Sequence, residues 1–335
     1  MLQGILAALA AGVMLGVYAI PEKFTKDFKY ENTWSLFFFF NLIIIPIICS
    51  LLFINNFGEV LSNIPVRILL AMILFAFLWG FGCQLWSKAL DYIGVSLGFS
   101  IFIGVVIIVG STLPFIISGL PPINSLLVII GGLLVIVLGV VFNGKAGILR
   151  KNSSENTELS SANIRKGILI AVLGGLLATG FSLANAVGFS YVDNAMQAQG
   201  NAPWLSALGV MIIVYISGAI YNIPFFIHQL SKKNFWKHFH TKALGGNVSL
   251  IFLMGLFNFA ASVTFAYSAS ILGAVGNTVG YAIYNTASIL VAVIGGIITS
   301  EWGKGANKAK KMLYMALIFM VIGIVIIAYG NSLAS

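Results

Sequence analysis

Lys151-Asn152-Ser153-Ser154-Glu155-Asn156-Thr157-Glu158-Leu159-Ser160-Ser161 lies within Asn143–Lys166, the only long polar stretch of the chain. It lacks apolar periodicity and predicts a flexible linker. What surrounds it is greasy: 59 % of the 335 residues are hydrophobic, 8 % are charged, and the mean hydropathy is +1.02. Soluble domains carry about a quarter charged residues. Five apolar stretches precede the linker, near Leu2–Ile20, Thr33–Ile54, Val66–Lys88, Tyr92–Ser118 and Ile123–Phe142. Five follow it, near Gly167–Gly188, Trp204–Leu230, Asn247–Ser268, Ile271–Thr299 and Met312–Gly330. A helix needs roughly 20 apolar residues to cross hydrocarbon. Lipid offers backbone amides no partner, so each span must be a helix. The short alternating strands of a barrel are absent from the pattern. The expected fold is an all-α integral membrane protein with ten transmembrane helices. Its parts are a first five-helix repeat (1–142), a cytoplasmic linker (143–166) and a second repeat (167–335).

The halves resemble one another in their letters. Gly4-Ile5-Leu6 opens the first span and Gly167-Ile168-Leu169 the sixth; at the same offset Gly12 matches Gly175 and Tyr18 matches Phe181. More weakly, Ile93-Gly94 parallels Leu272-Gly273. An odd number of spans per half inverts the second copy. Inverted repeats in secondary transporters enclose a substrate site near the midplane. Gly12/Gly16, Gly94/Gly98 and Gly276/Gly280 are small-residue pairs that let helices approach closely.

Charge gives the orientation. Of the 18 Lys and Arg, all but Arg67 fall in alternate gaps. Lys23, Lys26 and Lys29 follow the first span, and Lys88 follows the third. Lys145, Arg150, Lys151, Arg165 and Lys166 follow the fifth. Lys232, Lys233, Lys237 and Lys242 follow the seventh, and Lys304, Lys308, Lys310 and Lys311 the ninth. Short basic loops stay cytoplasmic, which predicts both termini outside. The net charge of +9 then faces anionic lipid and calls for no nucleic acid. Met1–Ile20 has no basic n-region and reads as a span, not a cleaved leader. Cys49 and Cys83 fall within spans, as small core residues. His228, His238 and His240 have no carboxylate or cysteine at metal-ligand spacing, and no metal or cofactor is expected.

Several stretches carry a family likeness. Val17-Tyr18-Ala19-Ile20-Pro21-Glu22-Lys23 precedes Tyr30-Glu31-Asn32-Thr33-Trp34-Ser35. Leu78-Trp79-Gly80-Phe81-Gly82 is followed by Tyr92-Ile93-Gly94-Val95-Ser96-Leu97-Gly98 and Ile107-Ile108-Val109-Gly110-Ser111-Thr112. Glu301-Trp302 follows the ninth span. Together they resemble the L-rhamnose–proton symporter family, a ten-span branch of the drug/metabolite transporter superfamily. The likeness spans nearly the whole chain and is densest over the first four spans. It implies sugar import with a proton; related branches carry other sugars, amino acids or nucleotide sugars.

Polar side chains inside spans must pair between helices or face a cavity. Asn277, Tyr281, Tyr284, Asn285 and Ser288 make one face of the ninth span. Thr179, Ser182 and Asn185 make a shorter stripe. Gln84 lies near Trp79 and Trp86, Asn258 shares a face with Ser262, and Tyr18, Ser96 and Ser100 complete the expected lining. Amides supply both donors and acceptors to sugar hydroxyls, and aromatic rings can lie under a sugar's C–H face. Trp34, Trp204 and Trp302, near span ends, are expected in interfacial belts.

Proton coupling needs an acid that changes protonation, and no acid falls at mid-span. Glu22, Asp91 and Glu301, at cytoplasmic span ends, are the candidates; sodium coupling or uniport stays open on the residues alone. No Gly-x-x-x-x-Gly-Lys loop appears, so no ATPase is implied. An intramembrane enzyme would need a Ser/His pair or a His-Glu-x-x-His helix, which the chain lacks. Residues and resemblance together predict a secondary carrier in the bacterial inner membrane. It would import a neutral monosaccharide, L-rhamnose or a similar deoxyhexose, by proton symport and alternating access. A superfamily carrier for another small solute is the alternative.

Overall fold

The computed structural model describes residues 1–152, 161–298 and 307–333, with the backbone alone at a few of these, Asp91 and Ser96 included. Glu301 and Trp302 lie outside the described residues. The helices are α1 (Leu2–Val17), α2 (Tyr30–Phe39), α3 (Ile45–Phe53), α4 (Phe57–Ser62), α5 (Val66–Thr112), α6 (Pro114–Ser118), α7 (Ile123–Asn152), α8 (Ser161–Ala178), α9 (Gly180–Ala198), α10 (Ser206–Lys232), α11 (Leu244–Leu272), α12 (Gly276–Ile298) and α13 (Asn307–Ser332). No strand occurs among the described residues. Nine of the helical stretches described are long and apolar enough to cross a membrane, and Ser100–Ile116 is a shorter apolar helix. The protein is an all-helical, multi-pass membrane protein.

The expected break between Lys88 and Tyr92 takes an unexpected form. Helical backbone continues from Val66 to Thr112, yet the chain folds back on itself. The Leu90 Cα lies 3.6 Å from where a Gly98 Cβ would stand, whereas eight residues of straight helix span about 12 Å. Trp86 and Phe102 have ring centroids 5.7 Å apart for the same reason. Helix also extends into both ends of the expected linker: α7 runs on to Asn152 and α8 begins at Ser161.

Two irregularities shape the interior. Pro46 has no N–H for the Leu42 carbonyl and its ring would strike it. The chain therefore passes from α2 to α3 through a wide π turn at Phe40–Ile44, with Ile45 N–H reaching back to the Phe40 carbonyl. The second lies at Thr179, between α8 and α9, where the hydroxyl donates to the Leu176 carbonyl at 2.6 Å. Gly180 is obligatory there, because a Cβ would lie 2.1 Å from the Phe75 carbonyl oxygen.

Close helix approaches recur in matched form. A Cβ on Gly12 would stand 2.4 Å from the Ala287 Cβ and 2.8 Å from the Tyr284 carbonyl. A Cβ on Gly175 would stand 2.8 Å from the Val105 Cβ and 2.9 Å from the Phe102 carbonyl. Gly4 meets Ile271 and Leu272, while Gly167 meets Tyr92 and Ile93. Thus α1 packs on α11 and α12, and α8 on both limbs of α5. The other close pair is α7 with α13, where Gly132 and Gly139 face Ile327 and Met320 and Gly323 faces Ile136. The most extensive helix contacts run across the chain's halves, while α5 with α7, α11 with α12 and α9 with α10 also pack within them.

Candidate functional site

A cavity of about 360 Å³ opens between these groups. Its walls come from the end of α1 (Gly16, Tyr18), the length of α2 (Tyr30, Trp34, Phe37, Phe38) and the π turn (Asn41). The first limb of α5 gives Trp79, Cys83, Gln84, Trp86 and Ser87, and the second gives Phe102, Ile103 and Val106. Ala178 and Phe181 flank the Thr179 irregularity, Tyr215 comes from α10, and Asn258 and Ser262 come from α11. Tyr281, Tyr284, Asn285 and Ser288 come from α12. None of these side chains carries a formal charge. Tyr18, Tyr30 and Trp34 in this wall flank the lysine-bearing connection after α1, and Trp86 and Ser87 precede Lys88.

Part of the polar lining is a connected chain of hydrogen bonds, and Gln84 forms a separate pair with Asn222. Asn258 Oδ1 accepts from Asn41 Nδ2 at 2.9 Å and from the Tyr215 hydroxyl at 2.9 Å. Tyr215 also shares a short hydrogen bond with Ser262, which lies 3.3 Å from the Tyr284 hydroxyl. Gln84 Nε2 donates to Asn222 Oδ1 at 2.7 Å. Gly80, one turn away, is bare because a Cβ would be 2.7 Å from that same Asn222 amide. Gly82 in the same run meets the α8 backbone, at 2.6 Å from Ala178 N. The Trp79-Gly80-Phe81-Gly82 motif therefore seats a wall helix against two neighbours while its tryptophan lines the cavity. Asn41 Oδ1 is buried without a hydrogen-bond partner, and a lone acceptor at such a wall suits a ligand hydroxyl.

Tyr18, Trp79, Gln84, Trp86, Asn258, Tyr281, Tyr284 and Asn285 all stand in the wall, where the sequence pointed. Ser182 and Asn185 do not: Ser182 donates to the Gly110 carbonyl at 2.9 Å, and Asn185 Nδ2 donates to Asn277 Oδ1 at 2.6 Å. These bonds tie α9 to the second limb of α5 and to α12 beyond the cavity. Ser100 is buried away from the lining; the side chain of Ser96 is outside the described residues. Trp34 is a correction. It was expected in an interfacial belt, but its ring lines the cavity and its indole N–H donates to Glu22 Oε1 at 2.8 Å. Trp204, at 60 % exposure, does sit at the surface. Asn41, Tyr30, Phe37, Phe38 and Tyr215 escaped the sequence reading.

Hydrogen bonds join the helices at the end away from the lysines. Ser268 donates to the Gly4 carbonyl at 2.7 Å, and Gln3 to the Tyr267 hydroxyl at 3.1 Å. Asn201 exchanges bonds with the Asn55 backbone at 2.7 and 3.1 Å. At the lysine-bearing end, Lys233 pairs with Glu31, Asn32 donates to the Phe235 carbonyl, and Thr241 donates to Asp27.

The model of the L-rhamnose-proton symport protein (RhaT) family matches residues 1–334 of this chain. The chain belongs to that family. Among curated relatives, the L-rhamnose-proton symporter of Escherichia coli (strain 55989 / EAEC) is 26 % identical over 341 residues, covering 98 % of this chain and 97 % of the relative. The L-rhamnose-proton symporter of Shigella boydii serotype 4 (strain Sb227) matches with the same identity and coverage. The symport family is one of transporters, not of enzymes.

Proposed function

We propose that this protein imports L-rhamnose together with a proton across the bacterial inner membrane. One observation carries the reading: a charge-free cavity of about 360 Å³ walled by aromatic rings and linked amides. That volume is at the small end for ligand sites and suits a neutral deoxyhexose. Hydroxyls would meet Asn41, Gln84, Asn258 and Asn285, while a C–H face or the methyl would lie on Trp79, Trp86 or Phe102. An amino acid would want a charged partner, and none of the described lining residues offers one.

The basic end is assigned to the cytoplasm by the positive-inside rule, with both termini in the periplasm. We read the conformation as inward-facing, supported by Tyr18, Tyr30, Trp34, Trp86 and Ser87 lining the cavity beside lysine-bearing connections. Ser100–Ile116 serves as the tenth crossing, and residues 1–142 and 167–335 form inverted repeats about the 143–166 linker. Matched approaches support this: Gly12 on α12 pairs with Gly175 on the second limb of α5, and Gly4 with Gly167. Alternating access would rock α1, α11 and α12 against α5 and α8, each body drawing helices from both repeats. Of the coupling candidates, Asp91 and Glu301 lie outside the described side chains; Glu22, one hydrogen bond behind the wall, is the acid we assign to the proton.

Proteoliposomes with an imposed pH gradient test the reading. Labelled L-rhamnose should accumulate on the alkaline side, and a protonophore should abolish accumulation. Rhamnose uptake indifferent to the gradient would reject symport, and no rhamnose binding at all would reject the sugar.

A further inference from the structure

Resting on the reading of the cavity as the sugar site and Glu22 as the proton carrier, we propose that Trp34 links sugar occupancy to Glu22 protonation. Its indole has two faces of work. The ring is part of the cavity wall, and the N–H is bonded to Glu22 Oε1 at 2.8 Å, so one rigid side chain touches both the ligand space and the carboxyl group. An indole nitrogen only donates. Its bond to an ionised carboxylate is charge-assisted and about twice as strong as its bond to a neutral acid. A proton on Glu22 therefore loosens the grip on the indole, and a sugar lying against the ring senses the change.

The rest of the ring is held by packing alone. Tyr18 stands edge-on at 6.4 Å, Tyr30 is tilted at 5.7 Å, and Phe37 and Phe38 lie at 5.1 and 6.1 Å. Such contacts define a slot in which the indole can shift without losing a second hydrogen bond. Among the described residues, other titratable groups stand near Glu22 on its own turn and on α1 and α2. Lys23 shares its turn, Tyr18 comes from α1, and Tyr30 and Glu31 come from α2, with Glu31 paired to Lys233. α11, packed on the same turn, carries no Asp, Glu, Lys, Arg or His; its Asn247 holds the Lys26 backbone at 3.0 and 2.8 Å. Asp27 accepts the Thr241 hydroxyl at 2.7 Å.

In operation, the protonated acid lets the indole settle on the sugar, and the ionised acid draws it back. Linkage makes the effect reciprocal: the factor by which the proton tightens sugar binding equals the factor by which sugar tightens proton binding. For one proton per sugar, each pH unit imposed would drive about tenfold accumulation.

Two substitutions separate this role from mere wall-building. W34F keeps an aromatic ring and loses the donor; E22Q keeps an acceptor and loses the proton. Rhamnose binding is measured from pH 5 to 8, with proton uptake on rhamnose addition followed in weakly buffered detergent solution. The wild type should bind several-fold tighter at low pH, within the roughly 5–150-fold range of such couplings, and take up a proton. W34F, whatever its absolute affinity, should show a flat pH profile, no proton uptake and no gradient-driven accumulation, as should E22Q. W34F retaining the wild-type pH profile and proton uptake would overturn the role of Trp34 while leaving the sugar site and symport intact. A wild type that binds rhamnose with no pH dependence and no proton uptake would instead overturn the symport reading and this inference with it. Should W34F fail to fold, E22D provides the same test, since it titrates but is one methylene short of the indole. E22D with the wild-type profile and accumulation would overturn the proposal.

Discussion

A single amide oxygen, Asn258 Oδ1, holds three segments of the cavity wall together, because it accepts from both Asn41 and Tyr215. Asn258→Ala would strand the Asn41 amide donor, while Tyr215 keeps its bond to Ser262. Each buried group left unpaired costs about 1–3 kcal/mol, so the variant should melt earlier and bind rhamnose at least about tenfold more weakly. Thermal denaturation in detergent with and without rhamnose reads both. Asn277→Ala makes the contrast: its bond to Asn185 lies outside the wall, membrane hydrogen bonds average about 0.6 kcal/mol, and rhamnose-induced stabilisation should persist. Equal loss of ligand response in both variants would mean the cavity has been misassigned. Asn258 was legible in the sequence because it sits beside Ser262 on an apolar helix. Asn41 was not, since the π turn breaks the spacing that would align it with any stripe; the Pro46 five residues on was the available signal. Asn277 shows the opposite failure: a side chain can share a face with the lining residues and lie beyond the end of the cavity.

At the scale of elements, the π turn at Phe40–Ile44 and the fold-back in α5 are irregularities that build the site. Pro46→Ala removes the reason for the wide turn. The helix can then regularise, rotating Asn41 by about 100° per residue of register. We expect unchanged or higher thermal stability together with weaker rhamnose binding, read in the same melting experiment; unaltered binding would show that the turn does not aim Asn41. Glycine contacts give a second prediction. Gly12→Val sets branched carbons into a gap where even Cβ would lie 2.4 Å from Ala287. Overpacking costs about 1–3 kcal/mol, and separation of α1 from α12 should lower transport more than Ala287→Gly does. The letters announced close packing at Gly12/Gly16. They could not say which helix would fill the gap, because that partner lies in the other half of the chain.

For the whole molecule, the apolar membrane helices were legible because lipid imposes length and hydropathy on every crossing. The grouping of helices was not, since contacts between distant segments leave no local periodicity. The cavity's placement yields a direct check of access. Cys83 lines the wall, whereas Cys49 lies in α3 outside it. In a Cys49→Ser background, a small maleimide should label Cys83 faster from the face bearing the basic loops, and rhamnose should slow the labelling. Equal labelling from both faces, or no protection by rhamnose, would contradict a site open to one side.

The packing of α1 on α11 and α12 also has a consequence for biogenesis. Made long before α11 and α12, helix α1 finds its seat only when those two follow it out of the ribosome. Until then its bare Gly12 and Gly16 surface is met by lipid alone, and the early half waits in the bilayer as an open, unlatched assembly. Synthesis interrupted after α7 should therefore yield an inserted fragment that proteases clear quickly, and supplying residues 167–335 as a separate polypeptide should rescue it.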